Sequence, residues 1–337
     1  MKMKKLLGIS LGCLLALPLS AATTRLRAGA AVATKARIMN VHKAPAGARA
    51  RALQQLKVQQ SGGTGLGVEL PVIAKLVGSG NTPFYSALDV NNYATYSREV
   101  DFYLDGADLK TGETISVLGI FSNDNSGTEM VGVSNLHFDD IVDAIVQSQP
   151  GNFPADIETD GFLGSMLVVF NENSDPVIVD ASAQARLYSY LNGGDGTTGV
   201  ASKGHVLTAN EPQSLVGAFR DVRGQAGVPQ IYSNLFINNL GFLQADQPLG
   251  GDTVRVRLTA YSNTTGQQVG QTAEFNIGPF QTASFADVLN ALHVPTSDDT
   301  VIVFADVISG QSDILGIAAY VDDVTKDPSG FELNPVE

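Results

Sequence analysis

Two stretches of this chain recur almost residue for residue. Phe84-Tyr85-Ser86-Ala87-Leu88-Asp89-Val90-Asn91-Asn92 returns as Ile231-Tyr232-Ser233-Asn234-Leu235-Phe236-Ile237-Asn238-Asn239. Phe138-Asp139-Asp140-Ile141-Val142-Asp143-Ala144-Ile145 returns as Phe285-Ala286-Asp287-Val288-Leu289-Asn290-Ala291-Leu292. Both pairs lie 147 positions apart. An internal repeat constrains the fold before any local propensity does, because the chain must then build one unit twice.

Within each unit the periodicity is that of strands. Phe84, Ser86, Leu88 and Val90 share one face of an extended segment, and Ile231, Ser233, Leu235 and Ile237 share the same face of its copy. Such alternation marks a half-buried strand. Val100, Phe102 and Leu104, then Val254, Val256 and Leu258, alternate with polar residues in the same way. The spacing there is 154, so insertions in the loops compensate one another. Leu70 to Val77 reads as an edge strand, with Pro71 near its start. Phe138, Ile141, Val142 and Ile145, and their counterparts Phe285, Val288, Leu289 and Leu292, instead follow a helical stripe. Asp139, Asp140 and Asp287 then occupy the first turn, where carboxylates suit the helix dipole, and Ser284 is the expected N-cap of the second helix.

Many short strands bounded by Gly, Asn and Asp turns, with one short helix per unit, predict an all-β chain. We expect two tandem immunoglobulin-like β-sandwich domains, over residues 66–206 and 207–335. What the copies share is apolar and turn-forming. What differs is the outward face and the loops, so specific function is expected where the copies disagree.

The N-terminus is of another kind. Residues 1–21 have the outline of a secretory signal peptide: Lys2, Lys4 and Lys5, an apolar run from Leu6 to Leu17, and Ala21 as the small residue at the cleavage point. That run is shorter than the roughly 20 residues a membrane span needs. Cys13, the only cysteine, falls inside it, so the mature chain has no thiol for a disulfide or a metal. Export from a bacterial cell, to the periplasm, the medium or the cell surface, is the expected localisation.

Residues 22–65 follow, with eight basic residues and no acidic one, whereas all 34 acidic residues lie beyond. The formal net charge of −13 therefore conceals a basic arm on an acidic body. The arm is poor in large apolar residues and reads as flexible, with one short helix after Pro45 and a Gly-rich joint at Ser61 to Gly65. Three roles are open to it: a spacer, a segment folded back on the acidic body, or a contact with an anionic envelope or extracellular component. In the last case each basic residue near the surface is worth about 1 kcal/mol. No aromatic residue lies in the arm, which argues against a nucleic-acid partner.

The layout resembles that of exported bacterial proteins with tandem immunoglobulin-like sandwiches, known mainly as uncharacterised sequences. The resemblance rests on Leu70-Pro71-Val72 at a unit's start, Val90-Asn91 and Ile237-Asn238 at a strand's end, and two closing motifs. These are Gly196-Thr197…Gly199 and Asp323…Thr325…Asp327-Pro328. The second copy opens differently, on Ser214-Leu215-Val216-Gly217. The resemblance implies an extracellular role and brings no catalytic residue with it.

Chemistry is sparsely signalled. His42, His137, His205 and His293 are scattered, without metal-ligand spacing, and the sequence has no Gly-x-Ser-x-Gly elbow, P-loop or His-Glu-x-x-His motif. No catalytic or cofactor-binding residue is expected. Calcium is the one ion to consider, through Asp124 and Glu129 in one turn and Asp322, Asp323 and Asp327 in another, since it favours oxygen donors on turns. The leading expectation is a non-enzymatic binding, adhesion or envelope-structural protein. The alternative is a carbohydrate-active or other hydrolase, which needs only two suitably spaced carboxylates.

Overall fold

The computed structural model describes residues 36–60, 65–78, 82–149, 161–171, 180–190, 197–208, 211–222, 230–241, 251–295, 297–322 and 328–336. The leader, Asp323, Asp327 and most of the Gly-rich joint lie outside them. The chain is mostly β, and every strand pairing is antiparallel. No described helix is long and apolar enough to cross a membrane.

The first unit is a ten-stranded sheet. Its strands are β1 (Arg37–Lys43), β2 (Gly65–Gly78), β3 (Thr82–Asn92), β4 (Val100–Asp108), β5 (Thr114–Ser122), β6 (Ser134–Phe138), β7 (Gly161–Asn171), β8 (Ala181–Tyr190), β9 (Thr197–Lys203) and β10 (His205–Val206). The path runs β1-β5-β4-β7-β2-β3-β8-β9, with β10 on β2 and β6 on β3. β2 and β3 share only three pairs, Leu76–Phe84 to Gly78–Thr82. The sheet doubles back there, and Phe102, Phe121 and Phe170 from one arm meet Leu88, Leu136 and helix α2 (Ile141–Ser148) from the other in one core.

The second unit separates the same layers into two sheets. β11 (Ser214–Asp221), β13 (Val254–Ser262), β14 (Gln268–Ile277), β16 (Ser297–Ser309) and β19 (Asn334–Pro335) form five strands in the order β14-β13-β16-β11-β19. β12 (Ile231–Gly241), β15 (Thr282–Phe285), β17 (Asp313–Asp322) and β18 (Pro328–Glu332) form four, in the order β15-β12-β17-β18. Both sheets and helix α3 (Val288–Ala291) contribute side chains to one core. Apart from the β2–β3 pairing, which β11 and β12 lack, β2 to β10 and β11 to β19 make the same pairings strand for strand.

The polar residues shared by the two copies make matching buried hydrogen bonds. Ser86, fully buried, donates to the Ala74 carbonyl and accepts from the Ala74 amide at 3.0 and 2.8 Å. Ser233 does the same to Arg220 at 2.8 and 3.2 Å. Asn92 binds the carbonyls of Tyr96, Met130 and Val131, and Asn239 those of Asp252 and Ile277. Each such group would cost about 1–3 kcal/mol if left unpaired in the core.

Several local expectations are corrected. Pro71 does not start an edge strand. It lies within β2, which pairs with β7, β3 and β10, at a register shift between Leu70 and Ile73 where a missing N–H costs no ladder bond. Phe138 and Phe285 end strands β6 and β15 rather than begin helices. Asp140 and Asp287 are the N-caps, accepting from the amides of Asp143 and Asn290, and Ser284 lies in β15.

The largest correction concerns residues 22–65. Over Arg37–Gln60 this segment is not a flexible arm: β1 pairs with β5, and α1 (Ala48–Gln60) packs on the outer face of the first unit. Leu53 and Leu56 of α1 bury against Leu167 and Val169 of β7. Arg49, 3 % exposed, reaches through to Glu69 at 2.5 Å and to Asp105 and Ser165 at 3.1 Å each. The basic segment is thus folded back on the acidic body, and Arg49 is not available to an external anion. Strand β1 and helix α1 are also the elements without a counterpart in the second unit.

Leu240, Phe280 and Leu315 of the second unit join that same cluster. Phe280 lies over the Arg49 guanidinium, 4.9 Å away, and its carbonyl accepts from Ser165. Thr282 donates to the Pro71 carbonyl at 2.9 Å. One buried ion cluster therefore ties together α1, the first unit and the second.

Candidate functional site

The unmatched helix leaves the two units with different outer faces. β7 is buried along both faces, one in the core and one beneath α1 and the second unit. Its run Phe162-Leu163-Gly164-Ser165-Met166-Leu167-Val168-Val169-Phe170 is accordingly almost continuously apolar. β16, its counterpart, alternates: Val301, Val303 and Ala305 are buried, while Ile302, Phe304 and Asp306 are partly exposed. β13 does the same, turning Val254, Val256 and Leu258 inward and Arg255 and Arg257 outward.

Register places the outward residues beside one another. Thr259 lies opposite Phe304, Tyr261 opposite Ile302 and Arg257 opposite Asp306. In the first unit the corresponding pair is Asp105 opposite Ser165. So two of the three residues that receive Arg49 in one copy are replaced in the other by a hydroxyl and an aromatic ring.

The rings of Tyr261 and Phe304 stand 5.7 Å apart at 89°, an edge-to-face corner. They line an open concavity of about 550 Å³ together with Thr259, Ser262, Asn263, Gly266, Ile302 and Asp306. The β13–β14 turn closes one end. Gly266, at φ +67°, donates to the Ser262 carbonyl, and the Asn263 amide is pinned to the Thr300 carbonyl. Among the described residues, the Tyr261 hydroxyl and the side chains of Thr259, Asn263 and Asp306 make no hydrogen bond within the protein. The nearby cations are engaged: Arg255 and Arg257 both grip Glu274, at 2.5 and 2.7 Å. The site offers an apolar corner, a carboxylate, a side-chain amide and the Tyr261 hydroxyl to something outside, with the largely buried Thr259 beside them.

A second cavity, of about 540 Å³, lies where the two units meet. Pro71, Leu215, Ile317 and Leu333 line it, along with His205, Glu211 and Glu332. His205 Nε2 is 2.8 Å from Glu211 Oε2, while Glu211 Oε1 accepts from the Thr208 amide and hydroxyl at 2.6 and 2.9 Å. The Glu211 bond, aided by the charges of Glu211, Glu332 and Glu69, outweighs burial and raises the His205 pKa. Burial opposes, but the same His205 bond and the Thr208 amide lower that of Glu211.

The calcium candidates among the described residues, Asp124, Glu129 and Asp322, are not gathered into one site. Asp124 lies in the loop after β5, where its carboxylate accepts from the hydroxyls of Ser122 and Ser126 and the amides of Ser126, Gly127, Thr128 and Glu129. Partial burial pushes its pKa up, yet these bonds win and hold it well below the usual carboxylate range. Glu129 enters through its backbone, and Asp322 ends β17 in the other unit. Asp323 and Asp327 lie outside the described residues. Among the described residues no three His, Cys, Asp or Glu side chains stand together as a metal ion would need.

Reading the sequence missed Tyr261, Phe304 and Asp306. Their signal was the contrast between β7, apolar throughout, and β16, interrupted on one face by Asp306.

No protein-family model matches this chain, and no curated protein does. Among solved structures, a lectin from Pleurotus ostreatus in complex with GalNAc aligns over 81 % of this chain and 85 % of its own, at 8 % identity and a TM-score of 0.11. A TM-score that low carries no inference about fold or ligand.

Proposed function

We propose that this chain is a non-enzymatic binding, adhesion or envelope-structural protein, exported to the periplasm or cell exterior. In this reading its two units are tandem immunoglobulin-like sandwiches and its contact surface is the outer face of the five-stranded sheet. One observation carries it. The face that α1 covers in the first unit has no such helix over it in the second among the described residues, and there it presents an aromatic corner with unbonded polar groups. A fold that spends a helix sealing one copy of a face, while its other copy carries polar and aromatic groups, supports a surface kept for a partner. Lys43 and Arg51 remain exposed on the basic segment and can add attraction to an anionic envelope component.

The test is retention of the mature chain on isolated envelope material of the source cell, with Tyr261→Ala and Phe304→Ala as the variants. The reading expects both to lose retention while keeping the wild-type melting temperature. Undiminished retention in the double variant would overturn the assignment of this face.

The competing reading, a hydrolase, has one cavity in its favour, since Glu211 and Glu332 both line the junction between the units. Glu211 is poorly suited to act as an acid there. Its two oxygens already accept three hydrogen bonds and its pKa is lowered, whereas a general acid needs a raised one.

A further inference from the structure

Taking the outer face of the five-stranded sheet as the binding surface, we infer that its ligand is a neutral carbohydrate, held by a pyranose ring against the corner of Tyr261 and Phe304. This inference deepens the proposed function and stands on it.

Three features of the face select that chemistry. The first is the pair of rings at 89° and 5.7 Å. An aromatic face is electron-rich, and the C–H face of a sugar ring is its apolar, weakly positive complement. The second is the set of unbonded groups around that corner: the Asp306 carboxylate, the Asn263 side-chain amide, the Tyr261 hydroxyl and the largely buried Thr259 hydroxyl. A carboxylate accepts from two vicinal hydroxyls, and an amide both donates and accepts, which is how a ring edge lined with OH groups is recognised. The third is size and openness. About 550 Å³ falls within the range of roughly 300–1,000 Å³ for small-ligand sites. An open site on a sheet lets a chain run past it in both directions.

Charge narrows the class. Asp306 lines the site, and the closest strand partner, Arg257, is bound to Glu274. No Arg or Lys lines the concavity to neutralise a uronate, sulfate or phosphate, and the Asp306 carboxylate repels it. The same balance excludes nucleic-acid backbone. A second copy's α1 is a poor occupant too. Thr259 and Phe304 stand where Asp105 and Ser165 receive Arg49, so a guanidinium there would meet the single carboxylate of Asp306 in place of the Glu69 and Asp105 pair.

The experiment titrates the mature chain with neutral oligosaccharides of hexose and of N-acetylhexosamine, and with a uronate oligomer, by calorimetry. The protein has no tryptophan and nine tyrosines, so tyrosine difference absorbance provides a second readout. Saturable binding of a neutral oligosaccharide is expected, weakened about tenfold or more by Tyr261→Ala, less by Tyr261→Phe, and severalfold by Asp306→Asn. Unchanged melting temperatures separate these losses from misfolding. Two outcomes overturn the inference: no neutral sugar binds at roughly 10 mM, a concentration that reveals even Kd values of about 1 mM, or one binds with no effect of Tyr261→Ala and Asp306→Asn. If envelope retention depends on Tyr261 but neutral sugars neither bind nor compete, the carbohydrate class falls while the binding face stands. If retention is independent of Tyr261, both fall.

Discussion

Replacing Arg49 by methionine would keep most of the packing volume in α1 and remove the only cation from a buried cluster. The guanidinium is 3 % exposed, the Glu69 side chain 1 % and that of Asp105 12 %. Burial pushes the Glu69 carboxyl up while Arg49 pulls it down. Without Arg49 the Ser165 hydroxyl alone still favours the charged Glu69, and two carboxylates remain in a largely buried site. Removing one partner of such a buried pair costs about 3–5 kcal/mol, mostly because the other charge is stranded. The contact of Phe280 with the guanidinium face is lost as well. Arg49→Met should therefore lower stability by about 3–5 kcal/mol at neutral pH, or roughly 6–10 °C in melting temperature at about 2 °C per kcal/mol for a chain of this size.

The pH dependence carries the sharper test. A stranded buried carboxylate has a folded-state pKa above its unfolded value, so its protonated form favours folding. That contribution is fully present below the unfolded pKa of about 4.3 and is lost as pH rises through the folded pKa. The deficit of Arg49→Met should shrink toward pH 4 and grow toward neutrality. Urea denaturation at pH 4.5 and 7.5 measures it. Should the single variant fail to fold at neutral pH, Arg49→Met with Glu69→Leu and Asp105→Asn keeps the question open to measurement. Removing the whole cluster should recover most of the loss, because an apolar replacement of a buried ion pair is often neutral or better. A deficit below about 1 kcal/mol that is flat with pH would refute the reasoning, since exposed pairs behave in that way.

Two other predictions concern the contact between units. His205→Gln should remove a pH-dependent part of stability. The raised His205 pKa contributes below about pH 6.5 and fades as pH rises through the folded value, while lowered Glu211 contributes above about pH 4.3 and fades on acidification. Wild type and variant should then differ most between about pH 4.5 and 6.5, and superimposable melting temperatures from pH 4 to 9 would sink this account. Gly330→Ala would place a Cβ 2.1 Å from Val200 Cγ1, where β18 meets β9. It should cost about 1–3 kcal/mol, and Val200→Ala should relieve part of that; strict additivity of the two would mean that the strands do not press together there.

How much of this could be read beforehand depended on whether a residue's task was local. Alternation in β3, β4, β12 and β13 was legible, because period two and apolar content follow from burying one face. Asp140 and Asp287 were legible as helix-starting acids. The boundary of each helix was not, because Phe138 and Phe285 satisfy the helical stripe and the strand pattern equally. Their membership in β6 and β15 is decided by pairing with β3 and β12, a long-range fact. Pro71 misled for a similar reason: the bulge that accommodates it is a property of the β2–β7 register.

In the basic segment the helix after Pro45 was legible, but its order was not, because composition was weighed without its destination. α1 has almost no amphipathic stripe of its own. It holds its place through Leu53 and Leu56, and through one arginine whose carboxylates come from β2 and β4. Such a helix has little reason to form alone and good reason to form on that face. Deleting it would not yield an armless protein for comparison, because Leu167 and Val169 would be bared and Glu69 and Asp105 stranded. The same reasoning explains why the second unit differs where it does. A duplicated sheet starts with two equivalent outer faces, and whichever one lacks a covering helix must be polar enough to remain in water. β13 and β16 meet that demand with Arg255, Arg257, Thr259 and Asp306, yet they retain Tyr261 and Phe304 among them. Solubility accounts for the polar residues and an edge-to-face pair adds about 0.5–1.5 kcal/mol to the sheet, but neither requires the hydrogen-bonding groups around the rings to be left unbonded. A ligand that is apolar on one face and hydroxylated at its edge accounts for both.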